Sequence, residues 1–188
     1  MKSKLWVFRD VNLSQRASLA QALSISPATA SLFLARGVTT PDEATTWMSL
    51  QPPHDPFLIP DMDQAVERLH RAVTTQEPIC FYGDYDVDGI TATSVYLSFF
   101  GGLGAQVRAY VPHRFREGYG LNLGAVQRLH DEGISLLVTS DCGTTSHKEI
   151  ALAARLGMDV VVTDHHQTDE DMPPAVAVLN PHRAGACY

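Results

Sequence analysis

The sequence contains no long hydrophobic run. Its longest apolar stretches are far too short to cross a bilayer, and no uninterrupted apolar segment follows its basic first residues, so it predicts neither a membrane span nor a secretory signal. Cysteine is scarce, with three residues in 188 and no CxxC pair (Cys80, Cys142 and Cys187). Isolated thiols argue against a disulfide framework and a structural zinc site, and they favour a reducing compartment, which predicts a cytoplasmic protein. We interpret all three as buried or incidental thiols.

The sequence is also short of positive charge. Its 14 Lys and Arg against 21 Asp and Glu give a formal net charge of −7. Because nucleic-acid binding depends on Lys and Arg contacts to phosphate, this balance by itself argues against a nucleic-acid-binding protein. The objection weakens because several acids fall in motifs suited to metal ions, and bound cations would reverse the local field (Asp84, Asp86, Asp88, Asp141 and Asp164).

Enough apolar material is present for a core. With 188 residues, 45% of them hydrophobic, the chain predicts one globular domain and room for a small appendage. We expect residues 1–77 to form a helical lead-in, in which Thr40 and Glu43 make a capping box. The segments predicted here are a helix from Ser26 to Arg36, an extended linker at 51–56 and a helix from Asp61 to Thr75.

Residues 78–188 follow a different pattern. Short apolar runs alternate with helical periodicity, which predicts βαβ units and an α/β fold, a mostly parallel sheet flanked by helices. A capping box of Ser146 and Glu149 is expected to open one of the helices. The predicted strands lie at 79–82, 107–111, 134–139, 160–163 and 176–179, and the predicted helices at 89–100, 123–132 and 146–156.

Three acidic motifs directly follow three of these strands. They are Gly83-Asp84-Tyr85-Asp86-Val87-Asp88-Gly89, Ser140-Asp141-Cys142-Gly143 and Asp164-His165-His166. Ligands of open parallel sheets bind outside the carboxyl ends of the strands, so we expect the motifs to converge. Carboxylates packed closely repel one another unless a cation lies between them. Oxygen-rich ligation with one or two imidazoles suits Mn²⁺ or Mg²⁺ better than zinc.

Two other interpretations of the first motif are open. Asp84, Asp86, Asp88 and Gly89 match the start of an EF-hand calcium loop, but the twelfth position is Val95 instead of Glu and a strand precedes the motif. Asp-rich turns at strand ends are also often simply solvated. Three such turns at three strand ends favour a metal site over solvated turns.

The two adjacent histidines are predicted to divide their roles. Neighbouring side chains in extended or turn backbone point in different directions, so we expect one metal ligand and one proton donor or phosphate contact from His165 and His166. Isolated histidines are more often ordinary core or surface residues than ligands, which is how we interpret the others (His70, His130, His147 and His182).

Together these motifs resemble the DHH phosphoesterase superfamily and, within it, RecJ-type single-strand-specific exonucleases. The resemblance rests on the stretches Tyr82–Thr91, Val111–Leu121 and Val162–His166, with Pro173-Pro174-Ala175 and Asn180-Pro181-His182-Arg183 after them. It extends to the N-terminal lead-in and covers nearly the whole chain. The combined motifs are highly specific, whereas Asp-His-His alone would be a weak signal.

The resemblance implies a two-metal (Mn²⁺ or Mg²⁺) hydrolase that degrades single-stranded DNA from 5′ to 3′ into 5′-mononucleotides, in DNA repair and recombination. Asp86 and Asp141 would hold one ion, and Asp88, Asp141 and His165 the other. The family's single-stranded-DNA-binding protein is a further implied partner, although no residue here identifies it. The implied catalytic residues are Asp84, which orients water or completes a metal shell, His166, which donates a proton, and Asp164, which orients a histidine or ligates.

A basic loop, His113–Arg116, follows the second predicted strand. Its side chains His113, Arg114 and Arg116 are candidates to bind the substrate phosphate, because guanidinium groups match phosphate oxygens. An ordinary solvated loop paired internally with Glu117 is the alternative. Phe115 or Tyr119 would stack on a base or pack against the sheet edge.

Two rival functions are open. One is a small-substrate phosphatase of the same superfamily, acting on nanoRNA or dinucleotides, although such enzymes typically open the first motif with His. The other is an inactive binding module. RecJ-like proteins continue well past residue 188, with a further metal-binding Asp, so we expect this chain to be a fragment whose domain at 78–188 is incomplete at its C-terminus.

Overall fold

The computed structural model of the chain describes residues 9–49, 54–169 and 171–186. These residues form two compact units, one ending at Pro53 and one beginning at His54. Residues 51–53 of the linker predicted at 51–56, and Cys187, lie outside the described residues. No single helix in the described part is long and apolar enough to cross a membrane. Only the two helices at Leu13–Leu23 and Pro27–Ala35 together, bent by 117°, meet the length and composition of a span.

The N-terminal unit consists of three helices, α1 (Leu13–Leu23), α2 (Pro27–Ala35) and α3 (Pro41–Met48). The predicted capping box of α3 is confirmed, because the Thr40 side chain accepts from the Glu43 N–H while the Glu43 carboxylate accepts from the Thr40 N–H. The small core of the unit joins the buried faces of all three helices (Leu19, Ala20, Ala30, Phe33 and Ala44).

The second unit is the α/β part of the molecule. After a 3₁₀ turn at Pro56–Leu58, its helices are α4 (Met62–Thr74), α5 (Val87–Gly102), α6 (Leu123–Asp131) and α7 (His147–Arg155), and its strands are β1 (Ile79–Gly83), β2 (Val107–Tyr110), β3 (Leu136–Ser140), β4 (Asp159–Thr163) and β5 (Ala177–Leu179). The strands lie in the order β2-β1-β3-β4-β5, and every pair is parallel. The predicted fold class is therefore confirmed.

Both faces of the sheet are covered, as expected for a parallel sheet. On one face, Ala65 and Ala72 of α4 and Phe100 of α5 pack with alternate residues of β1 and β3. On the other face, α6 and α7 bring Val126 and Ile150 against the remaining strand residues. β1 and β3 are buried along their whole length, which is why they are continuous apolar runs in the sequence.

The compact unit begins at His54 and includes α4, which packs on the sheet, while the domain boundary after residue 77 stays a prediction. One detail differs from the sequence-based expectation. The predicted capping box at the start of α7 is wrong: Ser146 takes the N-cap position, but its side chain makes no capping hydrogen bond, since its ψ of 51° is not extended. Cys80 and Cys142 are buried, free thiols.

Candidate metal centre

The three acidic motifs meet at one edge of the sheet because their strands end at the same level. Gly83 of β1 is in register with Ser140 of β3, and Ser140 is in register with Thr163 of β4. The next residue on each strand is the motif's aspartate, so Asp84, Asp141 and Asp164 form a row across three neighbouring strands. The row crosses the topological switch point, since the chain leaves β1 toward β2 on one side and returns to β3 on the other. We call this row, with Asp86, Asp88, His165 and His166, the acidic edge.

Asp84 is buried beneath the start of α5. Its Oδ1 accepts from the Gly120 N–H at 3.3 Å, while its Oδ2 has no hydrogen-bond partner among the described residues. Gly89 makes this packing possible, because a Cβ there would lie 2.4 Å from the Asp84 backbone nitrogen. A buried carboxylate oxygen without a partner is costly, so the geometry around Asp84 suits a cation.

Asp86 begins α5 as its N-cap. Its Oδ1 accepts from the N–H groups of Asp88 at 3.0 Å and Gly89 at 3.3 Å, and the bond from Gly89 is the largest of the causes that lower the Asp86 pKa. The EF-hand interpretation is wrong, because α5 already begins at Val87 and leaves no twelve-residue loop. Asp88 is exposed in the first turn of α5.

Asp141 stands at the centre of the acidic edge. It has a left-handed backbone, φ 63°, and its N–H donates to the Thr163 carbonyl at 3.0 Å. Its side chain is only 7% exposed and lies with Oδ1 3.0 Å from Nε2 of His165. Burial, followed by the neighbouring Asp86 carboxylate, raises the pKa of Asp141. Two carboxylates held this close favour a cation between them.

Asp164 is the anchor of the third motif. Its Oδ1 accepts from the backbone N–H of His165 at 2.7 Å and of His166 at 3.1 Å, and it lies 2.8 Å from Nδ1 of His166. Its Oδ2 accepts from the Thr144 N–H at 3.0 Å. Burial opposes ionisation of Asp164, but these hydrogen bonds outweigh it and lower the pKa of the carboxyl. The same pairing raises the pKa of His166.

The two histidine rings both face Asp141. Their centroids lie 4.9 Å apart, and one ring nitrogen of each comes within 4.8 Å of Asp141 and of the other. His165 makes the closer approach, whereas His166 is 4.0 Å from Asp141 and is bound to Asp164. Beside them is a cleft of about 450 Å³ lined by Asp88, Thr91, Ala92, Val95, Ser140, Asp141, Thr163, Asp164 and His165.

The basic loop stands apart from this cluster. The Arg114 guanidinium lies 4.3 Å from the centroid of the Tyr85 ring, a cation–π contact with a residue of the first motif. Glu117 accepts from the His113 backbone N–H and from Arg128 and Tyr110, so it pairs with neither loop arginine. Phe115 is 89% exposed.

Three residues make hydrogen bonds at the site that the sequence motifs did not predict. The Tyr119 hydroxyl lies 3.2–3.3 Å from the two ring nitrogens of His166 and 3.4 Å from the Asp141 carbonyl oxygen. Thr144 binds Asp164, and Asn180 binds Thr144 and the His166 carbonyl oxygen. The signal for Asn180 was its place in the Asn-Pro-His-Arg stretch; nothing in the sequence indicated its partners.

Comparisons with known proteins show the family of the chain. The model of the DHH family, N-terminal domain, matches residues 78–187. The single-stranded-DNA-specific exonuclease RecJ of Bacillus subtilis is 38% identical over 97% of this chain and 24% of its own length, and that of Thermus thermophilus is 33% identical over 88% of this chain and 24% of its own. The chain therefore spans about a quarter of the length of these relatives.

Solved structures give the same result. A crystal structure of exonuclease RecJ bound to manganese superposes with a TM-score of 0.64 at 35% identity, covering 70% of this chain and 34% of that one. RecJ of Thermus thermophilus in complex with Mn²⁺ has a TM-score of 0.64 at 29% identity, covering 91% of this chain and 24% of that one. With the matching family model over more than half of the chain, the parallel sheet and the three motifs at its edge, the chain belongs to the DHH family.

Proposed function

We propose that this chain is the metal-holding part of a phosphodiester hydrolase that degrades single-stranded DNA from its 5′ end and releases 5′-mononucleotides, with a role in DNA repair and recombination. The observation that carries the proposal is the acidic edge, where Asp88, Asp141 and His165 line one cleft and Asp86 lies next to Asp141. The buried Asp84 adds a carboxylate oxygen that has no partner among the described residues. The names of the relatives in Bacillus subtilis and Thermus thermophilus support single-stranded DNA as the substrate.

The residues present fit Mn²⁺ or Mg²⁺. Asp84 offers a buried carboxylate oxygen without a partner, and Asp141 offers a carboxylate whose ionised form is disfavoured without a neighbouring cation. Hard oxygen ligands with one imidazole are the donor set of these ions. Asp86 and Asp141 would hold one ion, and Asp88, Asp141 and His165 a second. When bound, such ions supply an activated water and neutralise charge that develops on the phosphate.

His166 is the proton donor of the proposed site. Its Nδ1 lies against Asp164, and this contact raises the pKa of the ring so that a larger fraction is protonated near neutral pH. Asp164 is itself fixed by three backbone N–H groups, so it orients the ring instead of taking the proton. His166 is half exposed and open to a phosphate or leaving oxygen.

The basic loop is the proposed phosphate contact. Glu117 holds the base of the loop through the His113 backbone N–H and otherwise binds Arg128 and Tyr110, so it leaves the guanidinium groups of Arg114 and Arg116 available. Arg114, stacked on Tyr85, is joined to the first motif, the exposed Arg116 adds a second guanidinium group, and His113 adds an exposed imidazole. Guanidinium groups in this position match phosphate oxygens in pairs.

The test is a chimera in which this chain replaces the matching quarter of the Bacillus subtilis relative, assayed with Mn²⁺ on 5′-labelled single-stranded DNA. We expect labelled mononucleotides from the chimera and none from its Asp141→Asn variant. Hydrolysis of dinucleotides or pyrophosphate with DNA left intact would favour the small-substrate phosphatase. DNA binding without cleavage by a folded chimera would favour a binding module.

A further inference from the structure

Asn180 is the fourth member of the row of residues that follow the strand ends. Thr163 of β4 is in register with Leu179 of β5, so Asn180 stands beside Asp164 as Asp164 stands beside Asp141. Its three neighbours in the row are carboxylates, whereas Asn180 is an uncharged amide and is completely buried. A buried amide is costly unless it is hydrogen-bonded, so the direction of its bonds is informative.

The Asn180 side chain binds three segments: the residue after the second motif, the third motif and the turn just after β5. Its Nδ2 donates to the Thr144 hydroxyl at 2.9 Å and to the His166 carbonyl oxygen at 2.9 Å. Its Oδ1 accepts from the His182 N–H at 2.8 Å. Both donors of the amide are used, and both go to residues around Asp164.

We propose that Asn180 is a positioning residue, which holds Thr144 and the His166 backbone so that Asp164, His165 and His166 keep their places beside Asp141. The inference deepens the proposed function and rests on it. Thr144 completes the link, because its N–H donates to Asp164 at 3.0 Å. The histidines are half or more exposed at their side chains, so their placement depends on this buried anchor below them.

β5, the strand that precedes Asn180, is held in position by side-chain hydrogen bonds. It is one of the two edge strands of the sheet, and the backbone N–H and carbonyl of Val178, which point away from β4, are bound by side chains. The Val178 N–H donates to Asp61 at 3.1 Å, and Arg183 donates to the Val178 carbonyl at 2.8 Å while pairing with Asp61. Asn180 therefore extends from a strand that is fixed on both sides.

The test measures Mn²⁺ affinity of the chain by electron paramagnetic resonance, together with the ¹⁵N signals of the His166 ring in the metal-free protein at alkaline pH. In Asn180→Ala we expect Mn²⁺ affinity to fall about 10–100-fold, the range for losing an outer-shell partner. We also expect the His166 ring to leave the single Nδ1-protonated tautomer that Asp164 favours and to give averaged signals. A purely structural role would leave the tautomer unchanged.

Asp61→Asn is the matched control, because it weakens the hold on β5 without touching the bonds of Asn180 and keeps a residue type that tolerates the positive φ at this position. It should lower the thermal midpoint yet leave Mn²⁺ affinity within about twofold, as expected for sites that share no partner. Thr144→Val keeps the N–H that donates to Asp164 but removes the hydroxyl that Asn180 binds. It should change Mn²⁺ affinity and the His166 ring signals in the same direction as Asn180→Ala, by a smaller amount. If Asn180→Ala does not fold, Thr144→Val takes its place in the test.

The proposal is overturned if folded Asn180→Ala, or Thr144→Val in its place, binds Mn²⁺ as tightly as the wild type with unchanged ring signals. It is also overturned if Asp61→Asn disturbs the His166 ring as much as Asn180→Ala does. Failure of the wild-type chain to bind Mn²⁺ would instead count against the proposed function, and the ring signals of the metal-free protein would still test the positioning.

Discussion

The acidic edge and the basic loop are built in opposite ways. Asp84, Asp141 and Asp164 are little exposed and sit one residue beyond the ends of parallel strands. Backbone N–H groups reach the carboxylates of Asp84 and Asp164, and the His165 ring reaches that of Asp141. The basic loop is fixed at its base, through Glu117, and leaves its arginines exposed. The fold therefore fixes the carboxylates that repel one another, as a preformed metal site would require, and it leaves the proposed phosphate contacts open to solvent.

The largest effect should come from the centre of the acidic edge. Asp141→Asn removes the carboxylate nearest His165 while keeping a residue type that tolerates the left-handed backbone at this position. We expect Mn²⁺ affinity to fall by more than about 100-fold, beyond the loss typical of an outer-shell partner. In metal-free buffer the same variant should melt at a higher temperature, because burial and Asp86 disfavour the Asp141 charge.

A Mn²⁺ titration measures the change in affinity, and thermal melts in the presence of a chelator measure the metal-free stability. Asp63→Asn, an exposed acid in the first turn of α4, removes the same charge and serves as the control. Equal Mn²⁺ affinity in Asp141→Asn and wild type, or a lower melting temperature without metal, would contradict a site organised around Asp141.

The next effect is the pH dependence of stability without metal. The bond to Asp164 raises the pKa of His166. The stability that this pair adds to the folded state is therefore complete below the unfolded pKa of about 6.5 and is lost as pH rises through the folded pKa. The raised Asp141 pKa acts in the same direction, since ionising this buried carboxyl costs stability as pH rises above about 3.9. Asp164 has a lowered pKa, so its contribution is present above about 3.9 and disappears as pH falls further.

The metal-free chain should therefore be most stable between about pH 4 and 6.5 and lose stability toward pH 8. Melting temperatures measured across this range in the presence of a chelator test it. In His166→Gln the melting temperature should fall less steeply as pH rises above about 6.5, because only the ionisation of Asp141 still lowers stability there. A wild-type profile that rises from pH 6 to 8, or an unchanged slope in the variant, would show that the pair does not behave as its geometry indicates.

The acidic edge was the more predictable of the two regions, and the reason is local. The buried runs of β1, β3 and β4 are continuous in the sequence, and each ends at an aspartate, so their convergence follows from the rule for parallel strands. The bonds of Tyr119 and Asn180 were not predictable, because they join residues far apart in sequence through side-chain directions that only the folded chain fixes. The salt bridge between Glu117 and Arg128 was not predictable for the same reason, because Arg128 lies on another element, α6.

In the basic loop we expect a smaller effect, confined to substrate binding. Arg114→Ala removes the guanidinium stacked on Tyr85. If the side chain contacts one phosphate, affinity for single-stranded DNA should fall and the slope of log affinity against log salt should decrease by about 0.7. Fluorescence anisotropy with labelled oligonucleotide over a range of salt measures both, and thermal stability should hardly change because the residue is exposed.

Arg108→Ala is the matched control, since it removes the same charge from β2 but from a residue already paired with Glu132. An equal loss of DNA affinity in both variants would mean that net charge alone matters and that the basic loop has no special place. Loss of stability in Arg114→Ala would mean that the Tyr85 contact helps to build the acidic edge, which would weaken the contrast between the two regions.

The smallest effect should be at Ser146, where the loop after β3 enters α7. Because its side chain makes no capping bond, Ser146→Ala should change the free energy of unfolding by less than about 0.5 kcal/mol, as at sites without a specific role. Asn122→Ala, at the true cap of α6, should cost about 1 kcal/mol in the same unit. Chemical denaturation of both variants compares them. If Ser146→Ala and Asn122→Ala lower the free energy of unfolding equally, the Ser146 side chain does cap α7 and helps to hold the loop after β3. The acidic edge would then be fixed by a helix cap as well as by the hydrogen bonds of its carboxylates.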